Sequence, residues 1–163
     1  MSDQSRLGDQ NRIRSVGKVR RLSLDDLGIP LTDESESRAE KLLEAAEDVA
    51  PNTVGDGPDR GAAVLTAGGA IYAAARIETP DQRQTSHELE LAVKTALSDG
   101  AGSIIEGTVV SEEEPVSVCG DCRELVAAFG TGDTLIRGVV NSEEVFAATV
   151  GELLPDEQSC RTK

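Results

Sequence analysis

Apolar positions at helical spacing, Leu42, Leu43, Ala46 and Val49, run through the stretch from Ala39 to Ala50. A Ser37-x-x-Glu40 capping signature precedes them and Pro51 follows, which predicts a first helix ending before that proline. Residues 51–60, with Gly55, Gly57 and Pro58, read as a loop. Ala62 to Thr66 and Ala70 to Ala75 then predict a hairpin about a Gly68-Gly69 turn. The polar string 79–86 leads into Leu91, Val93, Ala96 and Leu97, a second helix from His87 to Ser98 stopped by Gly100. Strands over 103–110 and 116–118 flank the acidic turn Glu112-Glu113-Glu114, taken as solvated. A third helix spans Cys119 to Phe129, and 134–140 and 145–150 supply the last strands.

Composition narrows the class. With 163 residues, 38% of them apolar, the chain can build one sizeable core. Aromatic residues are only 2%, so that core must be made of Ala, Val, Leu and Ile, and stacking platforms are too scarce to favour a nucleic-acid binder. The formal charge is −14, from 30 acidic and 16 basic side chains of which four are lysine. Such an excess suits a protein kept soluble in concentrated salt, and a halophilic cytoplasm is the expectation. An ordinary acidic protein has the same composition, because charge speaks to solubility and not to fold.

No apolar run approaches the roughly 20 residues that span a bilayer, and the polar start has no hydrophobic signal region. A cytoplasmic protein without a membrane partner is expected. Residues 1–21 carry net +4, through Arg12, Arg14, Lys18, Arg20, Arg21 and Arg6, leaving −18 on the rest. Residues 1–37 are read as a flexible polar extension, 38–157 as the folded domain and 158–163 as a tail.

The candidate chemistry lies in His87 and the Cys119-x-x-Cys122 pair, each at the start of an expected helix. Three cysteines, the third being Cys160, form no disulfide framework. A thioredoxin-like redox pair would need a βαβ context that this chain lacks. One imidazole and two thiolates can hold zinc with a fourth position open, the arrangement of a catalytic zinc. Taken alone, His87 would read as an ordinary helix-surface histidine.

At these residues the chain resembles the cytidine deaminase family, from about Ala39 to Pro155. Gly61-Ala62-Ala63-Val64-Leu65-Thr66 is similar to the family's first hairpin strand, Cys119-Gly120-Asp121-Cys122-Arg123-Glu124 to its second zinc motif, and Glu152-Leu153-Leu154-Pro155 to its C-terminal ending. The resemblance implies an α/β/α three-layer fold, a mixed five-stranded sheet and Zn²⁺ held by His87, Cys119 and Cys122 at two helix N-termini. It further implies a small-molecule nucleoside as ligand and a homo-oligomer, dimer or tetramer.

The family places a glutamate two residues after its first ligand, where it moves a proton between water, the ring nitrogen and departing ammonia. Here that position is Leu89, flanked by Glu88 and Glu90. A helix advances about 100° per residue, so either neighbour substitutes only if the first turn is rewound. The family's ribose-holding Asn-x-Glu corresponds to Arg76-Ile77-Glu78, which keeps the carboxylate as a substrate-binding candidate, or as a solvated strand-end group. Val118 stands where the family has proline. Two phenylalanines that would line the base and sugar site are missing. Arg123 is either a group behind the thiolates or a surface charge. Two functions follow: a zinc-dependent hydrolytic deaminase of cytidine, deoxycytidine or a related aminated nucleoside, with impaired catalysis, or a non-catalytic zinc-stabilised binding protein or silent subunit of a deaminase complex.

Overall fold

The structure, a computed structural model, describes residues 33–113 and 115–154. The expected flexible extension and basic cluster, Glu114, Pro155, Cys160 and the C-terminal tail therefore lie outside the described residues, apart from 33–37. Those five belong to the first helix, α1 (Asp33–Val49). Ser37 and Glu40 thus sit inside the helix and not at its start. The acidic residues Glu34 and Glu36 suit the positive end of a helix dipole, which explains the earlier beginning. A 3₁₀ turn, Ala50–Asn52, carries the chain past Pro51.

The sheet is built from β1 (Arg60–Thr66), β2 (Ile71–Ala75), β3 (Ile104–Ser111), β4 (Leu135–Val140) and β5 (Glu143–Thr149), in the order β2-β1-β3-β4-β5. Only β3 and β4 are parallel neighbours; the other pairs are antiparallel, so the sheet is mixed. Residues 116–118, expected as a strand, join no ladder and form the approach to α3 (Gly120–Phe129). A short α4 (Val150–Leu153) follows β5, and Val150 begins it instead of ending the strand. Thr149 caps that helix through a reciprocal bond with Glu152.

Strand alternation divides the core in two. Ala62 and Val64 of β1 and Val109 of β3 face α2 (Glu88–Ser98) and α3, where Ala92, Val93, Ala96 and Val126 complete one cluster. Ala63, Leu65 and Val110 face the other way, against Leu42 and Ala46 of α1. The result is an α/β/α three-layer domain. Beneath α1 an ion pair joins Glu106 of β3 to Arg137 of β4, both buried. Arg38 of α1 stands 3.6 Å from Glu106, and Glu144 stands 3.4 Å from Arg137. Removing one member of such a pair leaves the other as an uncompensated buried charge, so the pair ties β3 to β4, with Arg38 a half-exposed contact from α1.

α1 approaches the sheet closely at Gly61, where a Cβ would overlap the Ala46 carbonyl oxygen of α1. A backbone carbonyl cannot swing aside as a side chain can. Gly61→Ala is expected to lower stability by about 2–3 kcal/mol through overpacking, measured as a fall in the urea midpoint with an unchanged slope. No helix among the described residues is long and apolar enough to cross a membrane.

Candidate metal centre

The strand directions bring two helix starts together. β1 is antiparallel to both β2 and β3, so β2 and β3 run the same way and finish at the same edge of the sheet. The chain leaves β2 toward α2 and β3 toward α3. His87 is the N-cap of α2, and Cys119 is the N-cap of α3.

His87 Nδ1 lies 3.1 Å from Cys119 Sγ and 3.6 Å from Cys122 Sγ, and the three ligand atoms all fall within 4.8 Å of one another. Metal–ligand bonds of about 2.0–2.3 Å in a tetrahedron separate neighbouring ligands by roughly 3.4–3.8 Å. The donor set and its spacing fit zinc. Cys119 Sγ also accepts the Cys122 backbone N–H at 3.4 Å, one of the unpaired donors of a helix start. Burial, then the hydrogen bond and charge of Cys119, then the negative charge of Glu88 push the Cys122 thiol well up. A cation offsets this combination, and zinc coordination deprotonates a thiol outright.

The neighbouring carboxylates divide sharply. Glu90 accepts the His87 backbone N–H at 3.2 Å and pairs with Lys94, so it serves the helix start. Burial opposes its ionisation, but the bonds from Lys94 and His87 outweigh burial and hold its carboxyl below the usual range. Glu88 turns inward. It is 4% exposed, and its Oε2 has no hydrogen-bond partner. The nearest charge to that oxygen is Arg76 Nη1, 3.8 Å away. Leu89 is 2% exposed and packs into the core between α2 and the sheet.

Glu88, Leu89 and the three ligand residues line one open cavity of about 90 Å³, together with Arg60 and Arg76 among others. Two other candidates have duties elsewhere. Glu78 accepts from Arg76 Nε at 2.6 Å and lies under Gly55 and Gly57, outside the cavity lining. Arg123 Nε donates to the Val118 carbonyl at 2.7 Å, which braces the segment leading to Cys119. Arg60, Val109 and Ser117 are lining residues that sequence reasoning did not single out.

A mixed sheet with an imidazole and two thiols gathered at two helix N-termini defines an α/β protein built around a metal-ligand triad. No family model matches the chain. It is 35% identical over 96 residues to the cytidine deaminase of Sporosarcina psychrophila, an alignment covering 58% of this chain and 71% of that protein. It is 31% identical over 96 residues to the cytidine deaminase of Halalkalibacterium halodurans, covering 58% and 73%. The crystal structure of cytidine deaminase from Burkholderia pseudomallei superposes with a TM-score of 0.66 at 24% identity, covering 77% of this chain and 98% of that one. That from Mycobacterium tuberculosis gives 0.62 at 21%, covering 74% and 96%. The chain belongs to the cytidine deaminase family.

Removing the metal should destabilise the α2 and α3 half of the molecule. With free zinc 100–1,000-fold above its Kd, chelation is expected to cost about 3–4 kcal/mol, seen as a lower calorimetric Tm. Cys122→Ala should abolish stoichiometric zinc and make Tm insensitive to chelator.

Proposed function

We propose that the protein is a zinc-dependent hydrolytic deaminase of cytidine, deoxycytidine or a related aminated nucleoside, with Glu88 in the place of the family's proton-moving glutamate. The observation that carries this reading is the Glu88 carboxylate, buried beside the ligand triad with one oxygen unpartnered. Burying an ionisable group without a hydrogen bond is costly and calls for a functional reason.

A zinc ion in the triad supplies Lewis acidity and lowers the pKa of water enough for attack at neutral pH. Hydrolysis forms a C–O bond and breaks the C–N bond of the amine, with no change of oxidation state. Water's oxygen stays on the ring, one of its protons reaches the ring nitrogen and the other leaves with ammonia. Glu88 Oε2 is the site where a proton can be held between these steps. Leu89 keeps bulk water from that side of the cavity, and Arg76 keeps the carboxylate from swinging out. Family membership supports a homo-oligomer, dimer or tetramer.

A second reading, a zinc-stabilised binding protein or a silent subunit, is favoured by Leu89, an apolar side chain where the family carries its carboxylate. Metal binding contributes folding free energy whether or not chemistry follows.

Ammonia release from cytidine and deoxycytidine by zinc-loaded protein in molar KCl separates the two. The natural protein should turn over, and Glu88→Gln should lower kcat by about 10²–10⁴-fold with zinc content unchanged. Full activity in Glu88→Gln would remove Glu88 from the reaction. A silent natural protein beside an active Leu89→Glu variant would establish the second reading.

A further inference from the structure

We infer that the mouth of the metal cavity is built to take an anionic group, and that the preferred ligand is the phosphate monoester of an aminated nucleoside and not the neutral nucleoside. The inference rests on the deaminase reading for the nucleoside part and on Arg60 and Arg76 for the phosphate.

The two arginines face each other across the β1/β2 edge. Gly61 pairs with Ala75, and the Arg76 N–H donates to the Arg60 carbonyl at 3.1 Å, which continues the same register by one residue. Both side chains line the metal cavity. Like charges directly opposite each other on adjacent strands are destabilising, so this pairing asks for a counter-charge. Arg76 has its own: Nε bonds Glu78 at 2.6 Å, and Nη1 faces Glu88 at 3.8 Å. Among the described residues, Arg60 has no carboxylate at ion-pair distance; its Nη2 donates to a neutral group, the Pro115 carbonyl, at 3.2 Å. A guanidinium carries five N–H donors in a planar fork matched to phosphate oxygens. Ser117, exposed on the same lining, adds a hydroxyl.

Cavity size assigns the phosphate to the rim. A closed cavity of about 150 Å³ admits a benzene ring, whereas this open one measures about 90 Å³. Only the reacting edge of a heterocycle reaches the triad, and the rest of the ligand lies across the mouth. Glu88 repels an anion from the interior, while Arg60 meets it outside.

Equilibrium binding to zinc-loaded protein by calorimetry tests this, with cytidine, its 3′- and 5′-monophosphates and inorganic phosphate as probes, and ammonia release followed alongside. A monophosphate should bind roughly tenfold or more tightly than cytidine, the scale of a hydrogen-bonded charge pair, and the advantage should shrink as salt screens it. Arg60→Gln should bring the monophosphate down to the affinity of cytidine, and Arg60→Lys should keep part of the preference. Zinc content and Tm matching the natural protein confirm that the variants are folded.

Equal affinity for cytidine and both monophosphates in the natural protein would overturn the inference without any variant. So would a preference that Arg60→Gln leaves intact, or inorganic phosphate competing with neither monophosphate. Ammonia released as fast from cytidine as from either monophosphate would leave the deaminase reading standing and remove the anion site. Arg60-dependent monophosphate binding with no ammonia from any ligand would do the reverse.

Discussion

The parallel pairing of β3 with β4 is the constraint on which the rest of this molecule depends. Antiparallel neighbours can be joined by a tight turn, but parallel ones need a crossover, and α3 lies in that crossover. β2 is likewise parallel to β3 through their shared antiparallel neighbour, so the link between them must also cross the sheet, and α2 lies in it. Both helices pack on one face and start from one edge, which puts His87 beside Cys119 although 32 residues separate them. The candidate metal site is a by-product of strand direction before it is a matter of ligand chemistry.

The two faces of the sheet handle charge differently. Under α1, the Glu106–Arg137 pair is flanked by Arg38 and Glu144, so each buried charge has opposite charge nearby. On the other face, Cys119, Cys122 and Glu88 concentrate potential negative charge, with Arg76 as the nearest cation to Glu88 among the described residues. Taking ions out of water is costly unless they are paired. The first face meets that requirement with side chains. The second leaves a place where a cation at the His87, Cys119 and Cys122 triad would meet it.

Much of this was legible in the sequence because the signals are local. Helical spacing of Leu42, Ala46 and Val49, the break at Gly100 and the Cys-x-x-Cys spacing each depend on a few adjacent residues. What stayed hidden depends on register. The expected hairpin, Thr66 to Ala70 about Gly68-Gly69, is the one observed: the Thr66 N–H donates to the Ala70 carbonyl around a three-residue loop with Gly69 at φ 84°. What the turn does not give is whether that register holds to the far end of the two strands, where it sets Arg60 opposite Arg76; a one-residue slip there would exchange the faces. The roles of Glu88 and Glu90 were hidden for a related reason. Angular spacing on a helix describes its interior turns, whereas at the helix start Glu90 is drawn back to the His87 N–H and Glu88 is left to face the cavity. Residues 116–118 have strand composition but no neighbouring edge to pair with, since β3 already lies between β1 and β4.

His87 and Glu88 are consecutive in the chain, the N-cap and the first residue of α2. The stretch between β2 and α2 can gain or lose residues while imidazole and carboxylate travel together as one unit on the helix start. The cysteine pair rides on a separate crossover and can be retuned independently. A protein organised this way can alter its loop lengths without disturbing the placement of either residue on the helix start.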